Sequence, residues 1–409
     1  MNLQLDVKDS YTNGIFTATS NYDNPCKLTA KDVHITGQST GEADEDKIYI
    51  SGIETYAGNI KMENLNIDIT ADGKPESIAD GIFMGRDLDD YDSEHTLTVT
   101  GNTNIKAVSK NGYYYAWAAG IEAQDQAKMN FGKLTIATEA TAEDSARTNG
   151  IFAAGNSEIN AGETHINVTA NSPNTDEPNY SYGLNAIHNS TITLGDNSSI
   201  HAESSGDGAV MAVGVRAGLY SEVNLGITDI RAENNSDGGT VDVLFVEDGA
   251  VLNMAGGSIT GANNANTGLF NAINAYGEDP DPTWHTDTIV NINQGTTNYV
   301  VIVGDVHAAN TAIVNLNLNT DASSITGNLD QSGPYEDKED SAGTINLTLA
   351  NKATWHAMGE YGKGESYLEN LTLNDGNITM TNEEAQNIDV MHLQGTGGKL
   401  TLEADANLN

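Results

Sequence analysis

The sequence predicts an all-β fold, a right-handed parallel β-helix (a solenoid) with three short strands per turn and loop insertions at one corner. Three observations predict it. A glycine-aliphatic step recurs along the chain, apolar and polar residues alternate within short segments, and no stretch carries the apolar spacing of an amphipathic helix. Hairpin signals between strands of equal length are scarce, which disfavours an array of β-sandwiches as the competing fold.

The glycine-aliphatic step defines the repeat. Its clearest copies start at Gly120, Gly150, Gly183 and Gly214, at intervals of about 30 residues, which is within the range of solenoid repeats. After each of the last three copies come a Ser-x-aliphatic segment and then a segment with an alternating Ile, as around Ser157 and Ile166. We therefore expect each unit to supply three strands.

Alternation within these segments predicts which side chains point inward. Leu65, Ile67 and Ile69 are separated by Asn66 and Asp68, so the aliphatic residues share one face of the strand. One coil cannot bury such a face alone, whereas stacked coils cover one another. The acidic, Gly/Ser/Asn-rich segments between units are expected to form a row of loops at one corner. They are 71–79, 139–147, 171–179, 203–208 and 233–239.

Charge limits the partners that this chain can bind. Its formal net charge is −40, which disfavours direct binding to nucleic acid or to anionic lipid, because few basic groups are present to neutralise phosphate. The partners expected are neutral or cationic, or are reached through divalent cations. The charge also keeps a long exposed protein soluble, and that alone could explain it.

Two acidic runs are candidate Ca²⁺ sites, because this cation prefers several carboxylate oxygens. A solvated run of charge is the alternative for both. The first run contains Asp87, Asp89, Asp90 and Asp92, and the second contains Glu336, Asp337, Glu339 and Asp340. No other cofactor is expected, and the nine scattered His residues do not have zinc-ligand spacing.

An aromatic cluster, together with the acidic run Asp87, Asp89, Asp90 and Asp92, is the candidate adhesion surface. Tyr113, Tyr115 and Trp117 are expected to share one strand face, and Tyr180 and Tyr182 occupy the equivalent place two units later. Outward aromatic rings can stack on sugars or anchor a protein contact. The alternative is that these rings fill or cap a coil.

Residues 299–409 resemble the end of the passenger region of classical, monomeric autotransporters. The resemblance rests on the order of a Ser-x-x-x-Gly segment, an Asn-Leu-Thr-Leu segment, a turn bearing Trp355, and a Leu-Thr-Leu-Asn-x-Gly segment. The matching stretches are 324–328, 345–349, 353–356 and 368–376. The resemblance implies a passenger secreted across the outer membrane and displayed on the bacterial cell surface.

The same resemblance suggests how the chain is divided. Residues 1–270 are expected to form regular β-helix repeats, and 271–344 a looser β-helix with loop insertions. Residues 345–409 are expected to form C-terminal turns that lead toward an autochaperone segment. No signal peptide begins at Met1 and no translocator β-barrel follows Asn409, so we interpret the chain as an excised passenger fragment.

The function expected is that of an adhesin, not of an enzyme. No serine-protease string is present, and basic residues are few for a lyase of this fold. The rod would act in cell–cell aggregation, biofilm formation, or attachment to a partner cell or host glycoprotein. Multivalent contact between two surfaces would strengthen such binding. Two alternatives stay open: a carbohydrate-active enzyme with carboxylates paired across turns, and a passive stalk.

Overall fold

A computed structural model of the chain shows an all-β, solenoid-like molecule. It describes residues 1–8, 11–18, 26–41, 47–56, 58–85, 95–173, 179–206, 210–236, 239–263, 270–277, 287–331, 342–357, 365–380, 387–402 and 407–408. These residues contain no helix, and so none that could cross a membrane.

The described strands are numbered in chain order. They are β1 (Asn2–Lys8), β2 (Tyr11–Thr17), β3 (Lys27–Gly41), β4 (Ile48–Thr55), β5 (Asn59–Gly73), β6 (Glu76–Met84), β7 (His95–Gly112), β8 (Tyr115–Ala123), β9 (Ala127–Ala142), β10 (Ser145–Ala153), β11 (Glu158–Ala161), β12 (Thr164–Ser172), β13 (Asn179–Ala186), β14 (Thr191–Leu194), β15 (Ser198–Gly206), β16 (Val210–Ala217), β17 (Glu222–Asn234), β18 (Thr240–Glu247), β19 (Val251–Asn263), β20 (Phe270–Tyr276), β21 (Ile289–Ile292), β22 (Val300–Val303), β23 (Asp305–Ala309), β24 (Ile313–Leu318), β25 (Ser324–Thr326), β26 (Leu329–Asp330), β27 (Thr344–Ala350), β28 (Thr354–Ala357), β29 (Glu365–Met380), β30 (Asn387–Leu402) and β31 (Asn407–Leu408).

These strands pair in parallel, and each pairs with strands of the neighbouring coils. The strands that carry the glycine-aliphatic step form one series, in which β8 pairs with β10, β10 with β13 and β13 with β16. Ile121 lies beside Ile151, which lies beside Leu184. The glycine interval therefore measures one coil. Two further series run beside it, and long strands such as β9 and β17 contribute to both.

Inward aliphatic side chains form one continuous core along the stack. Leu65, Ile67 and Ile69 are buried, as their alternation predicts. Each such side chain contributes roughly 1.5–3 kcal/mol on burial. Trp355 also belongs to this core. It lies in β28 and not in a turn, and its indole Nε1 donates a 3.0 Å hydrogen bond to the carbonyl of Gly327.

The recurring glycine is needed because two strand series approach closely there. A Cβ on Gly120 would lie 2.4 Å from Ile136 Cγ2 and 2.6 Å from the carbonyl oxygen of Gly150. Real Cβ atoms are not found at such distances, so a larger residue would force the coils apart. The repeat signal in the sequence therefore reports a packing requirement inside the coil.

The recurring serine has a different cause. The hydroxyl of Ser190 accepts a 3.2 Å hydrogen bond from the backbone N–H of Ser157, and Ser221 does the same for Ser190 at 3.1 Å. Both hydroxyls are buried at a corner where the chain passes between two strand series. These bonds satisfy backbone donors that would otherwise be buried without partners.

A row of loops was expected at one corner, but at two coils the predicted loop segments are mostly strand. Only residues 74–75 separate β5 from β6, and only 143–144 separate β9 from β10. Small inward residues fill this corner; Ala140, Ala142 and Ala146 belong to a separate buried alanine cluster. Because small residues are common in loops, these segments were interpreted as loops from the sequence. Residues 174–178, 207–209 and 237–238 lie outside the described part of the chain.

Candidate functional site

The outward side chains of β2, β4, β6, β8, β10, β13, β16, β18 and β20 form the candidate site, which we name the Gly-strand face. Parallel register places one residue of each coil directly above its counterpart in the next coil, so side chains of this face stand in rows. Its aromatic members are half-buried or exposed. They are Tyr11, Phe16, Tyr49, Phe83, Tyr115, Trp117, Phe152, Tyr180, Tyr182, Phe245 and Tyr276.

Four of the five aromatic residues singled out in the sequence lie on this face. Tyr115 and Trp117 both point outward from β8, with ring centroids 6.3 Å apart. Tyr180 stands two coils above Trp117, with Arg147 between them. Tyr182 follows Tyr180 on β13, and their rings are stacked at 6.0 Å.

Tyr113 lies beside this face and not on its strand. β8 begins at Tyr115, and Tyr113 is in the preceding turn, where its backbone N–H bonds to the carbonyl of Pro75. Its ring meets that of Tyr114 edge-on at 4.7 Å, and Lys74 Nζ lies 5.8 Å from the Tyr113 centroid. Both tyrosine rings are exposed at the corner, next to the half-buried Tyr115.

Two arginines join the aromatic rings between coils. The guanidinium of Arg147 lies 5.5 Å from the Tyr115 ring and 5.2 Å from the Tyr180 ring. Each such contact contributes about 0.5–1 kcal/mol at an exposed site and more where water is excluded. These contacts hold neighbouring rings at fixed positions, so the face is preorganised.

Arg216 repeats the arrangement two coils after Arg147. It lies 6.0 Å from both the Tyr182 and Phe245 rings, and its Nη2 and Nε donate hydrogen bonds of 2.6 and 2.9 Å to one carboxylate oxygen of Glu247. The ion pair is partly shielded from solvent. Hydrogen bonds between ionised groups are stronger than those between neutral groups, so this pair holds Arg216 in place.

At the N-terminal end of the face, rings stack directly on each other. Tyr11 and Tyr49 have centroids 4.2 Å apart and nearly parallel planes, at 9°. The Tyr11 hydroxyl donates to Glu54, whose carboxylate oxygens lie 2.8 and 2.9 Å away. Burial and the nearby Glu54 charge both raise the pKa of Tyr11, so this hydroxyl stays protonated and acts as a donor.

Buried carboxyl groups lie beneath the rings of the N-terminal half. Asp80 is 3% exposed and accepts a 3.2 Å hydrogen bond from the indole of Trp117. Burial raises its pKa well above the usual range, and the neighbouring Glu122 raises it further. Burial likewise raises the pKa of Glu122 to about 7, although a hydrogen bond from Gln124 opposes the shift.

Asp242 is a further buried carboxyl group on the same face. It lies in the row of Asp80, further along the stack, and accepts hydrogen bonds of 2.6 Å from Asn271 and 3.3 Å from Asn274. Burial raises its pKa to about 6 despite these donors. Near neutral pH the face therefore contains carboxyl groups whose charge responds to small changes in acidity.

Spare hydrogen-bond acceptors accompany these acids. The side-chain oxygens of Ser51, Asn149 and Asn185 are buried, and none has a hydrogen-bond partner. Buried polar atoms without partners are uncommon in folded proteins. Their rows belong to the Gly-strand face, but these oxygens are themselves covered, so they are unpaired acceptors within the coil wall and not contacts open to a ligand.

Five residues of this face were not predicted from the sequence: Asp80, Glu122, Asp242, Arg147 and Arg216. A usable signal was nevertheless present, because Asp80 immediately precedes Gly81, as Asn149 precedes Gly150. Aligning the coils on the recurring glycine would have put these polar residues in one row. Arg147 was missed because it fell at the end of a segment expected to be a loop.

The acidic runs proposed for Ca²⁺ cannot be placed on this face. Asp87, Asp89, Asp90 and Asp92 lie outside the described residues, as do Glu336, Asp337, Glu339 and Asp340. Within the described ranges no group of three or more His, Cys, Asp or Glu side chains is arranged to hold a metal ion.

Comparisons with protein families, with curated proteins and with solved structures found no match for this chain.

Proposed function

We propose that this chain is an adhesin of the bacterial cell surface, which binds its partner through the Gly-strand face. The observation that carries the proposal is the row arrangement of half-exposed aromatic rings, tied together by Arg147 and Arg216 over successive coils. Rigid aromatic and arginine side chains are the residues that most often dominate binding interfaces. A repeated set along a rod lets many weak contacts act together.

The proposal includes a right-handed β-helix with three strands per coil. Three parallel series of strands support it, since each coil contributes to all three. A parallel strand connection within one sheet is right-handed in about 98% of cases. The resemblance of residues 299–409 to autotransporter passengers supports secretion across the outer membrane and display outside it.

The partner is a second copy on another cell, or a protein or glycan on another bacterium or on a host. Aromatic rings can stack on sugars, and arginines can bind acidic groups, so the face suits glycoproteins. Self-association has to overcome the repulsion between two chains of charge −40. Ca²⁺ held by the acidic runs is one way to do so, and higher ionic strength is another.

Settling of cells that display the chain tests this proposal. The double substitution Trp117→Ala and Tyr180→Ala should slow settling, or reduce attachment to a partner cell, while Tyr220→Ala should not. Tyr220 is a matched control because it is an exposed aromatic residue outside the Gly-strand face. Display is measured with an antibody tag, and adding a chelator tests for Ca²⁺. Unchanged adhesion by the double variant would favour a passive stalk.

A carbohydrate-active enzyme is the second candidate, favoured by one observation. Asp80 and Glu122 lie on neighbouring coils and both have raised pKa values, and carboxyl pairs of unequal acidity cleave glycosidic bonds in many enzymes. Against it, both side chains are nearly covered, so a substrate would have little access. Release of reducing sugar from a glycan panel, abolished by Asp80→Asn, would establish this function instead.

A further inference from the structure

A second surface, separate from the Gly-strand face, lies at the corner between the other two strand series. There the segment 293–299 projects between β21 and β22 and overhangs a groove of about 440 Å³. Asn224, Asn253, Asn291, Gln294 and Thr296 supply polar groups to its lining. Met254 also borders the groove, but its side chain is buried in the core.

The overhanging segment is held in place by its own buried asparagine. Asn293 is fully buried, and its amide Nδ2 donates to the carbonyls of Asn298 at 3.0 Å and Asn317 at 2.8 Å. Thr296 and Asn298 both donate 2.9 Å hydrogen bonds to the carbonyl of Ala255 on the neighbouring coil. The groove therefore has a fixed shape before any ligand arrives.

One wall of the groove belongs to a ladder of asparagine amides. Asn370, Asn346, Asn315, Asn291, Asn253 and Asn224 stand above one another on successive coils. Each of the first five donates to the side-chain oxygen of the next over distances of 2.6–2.9 Å. Asn224, the last, donates to the carboxylate of Glu222 at 2.9 Å. An amide has two donors and two acceptor lone pairs. The ladder uses one of each, so a donor and an acceptor per coil remain for a ligand.

The lining of this groove contains no charged residue, in a chain whose net charge is −40. The outward residues of β21, β24 and β27 are uncharged as well, and consist of Ile, Asn, Thr and Ala. Desolvating such a wall costs far less than desolvating ionised groups. A ligand that matches it must be uncharged and must carry both donors and acceptors.

We propose that this groove binds an uncharged oligosaccharide. Sugar hydroxyls would pair with the amide donors and acceptors of Asn253 and Asn291 that the ladder leaves unused. Coils repeat at about 4.8 Å, so successive sugars of an extended chain can meet successive amides. Binding here is independent of whether the Gly-strand face adheres to anything.

Isothermal titration of the purified chain with uncharged disaccharides of glucose, mannose and N-acetylglucosamine tests the proposal, because a disaccharide is short enough to stay within the groove. At least one is expected to bind, and Asn253→Ala should weaken it about tenfold, which corresponds to one hydrogen bond of about 1.4 kcal/mol. Asn370→Ala is the matched control: it removes the same side chain from the same ladder, beyond the groove. That variant should bind like the parent chain.

Three results would overturn the proposal. They are no binding of any neutral disaccharide at millimolar concentration, preference for an acidic disaccharide, and equal losses from the two alanine variants. Circular dichroism and sedimentation on each variant separate these results from unfolding and from self-association. Gln294→Ala provides a second measurement, because its side chain lines the groove and lies outside the ladder. Failure here leaves the cell-settling test unaffected.

Discussion

The N-terminal and C-terminal coils use the same parallel stacking but place different chemistry on their outer surface. From β2 to β18 the outward rows hold rings, arginines and carboxyl groups, as where Arg147 sits between Tyr115 and Tyr180. From β21 to β27 the outward rows of one series hold no charge, and the asparagine ladder bonds the coils together.

This difference shows that the core does not determine the surface. Inward aliphatic residues continue through both regions, so the coils stack in the same way whatever faces outward. Between stacked coils a charge meets a counterpart about 4.8 Å away. It must therefore be paired, as Lys110 is with Asp72 at 3.1 Å, or be replaced by a neutral hydrogen-bonding group. The N-terminal coils pair their outward charges, and the series β21, β24 and β27 replaces charge with neutral asparagine amides.

The largest effect expected in either region comes from the inner glycine. Gly120→Val should destabilise the chain by about 3 kcal/mol, because the new side chain would overlap Ile136 and a backbone carbonyl. Urea denaturation measures the loss. Gly295→Ala is the control in the C-terminal region. Nothing lies within 4 Å of a Cβ there, but its φ of +72° favours glycine, so this variant measures backbone strain alone and should cost about 1 kcal/mol. Equal losses would mean that glycine acts through backbone freedom and not through packing.

A charge in the neutral ladder should cost about 2 kcal/mol at pH 7. Asn291→Asp replaces the amide that donates to Asn253 Oδ1, so two acceptors would face each other and an ionised group would be desolvated. At pH 3 the new carboxyl is protonated and can donate, so the loss relative to the parent chain should shrink. Urea midpoints at both pH values measure this, and a loss independent of pH would contradict it.

Removing a buried charge from the N-terminal face should stabilise the chain. The pKa of Glu122 is about 7 in the folded chain against an ordinary 4.5, so the folded state holds more protons between these values. Its stability therefore falls as pH rises through that window. Glu122→Gln should stabilise the chain by on the order of 2 kcal/mol at pH 8 and very little at pH 4. Thermal melts at both pH values measure the difference.

The control for that experiment is Glu139→Gln, an exposed carboxylate on β9. It should change stability little at either pH, because water already solvates its charge. If Glu122→Gln also proved neutral at pH 8, the carboxyl would be solvated in solution, and the N-terminal face would be more open than its packing indicates.

The repeat and the core could be predicted from sequence because their causes are local. Ile67 points inward through alternation with its neighbours, and Gly120 recurs because a Cβ cannot fit. The division at residues 270 and 344 stays a prediction. Corner alanines such as Ala142 were mistaken for loop residues because alanine has no strong strand preference.

The candidate site was less predictable, because it depends on register between coils that insertions change. Trp117 and Tyr180 were found because aromatic residues stand out in any strand. Asp80 and Glu122 were not found. They are 42 positions apart, and nothing in the sequence shows that they are neighbours until β6 and β8 are aligned. Sequence spacing alone cannot give that alignment, because coil lengths vary.

The smallest effects expected come from two substitutions in the N-terminal coils, which compare an arginine between aromatic rings with a lysine in a surface ion pair. Arg147→Met keeps the length and apolar stem but removes the cation between two rings, and should cost about 1 kcal/mol. Lys110→Met, which breaks the exposed pair with Asp72, should cost less than about 0.5 kcal/mol and nothing at high salt. Urea titrations at low and high salt measure both. If the Arg147 loss also vanished in high salt, that guanidinium would act as one more surface charge, and the N-terminal coils would lack the preorganised contact on which adhesion through this face depends.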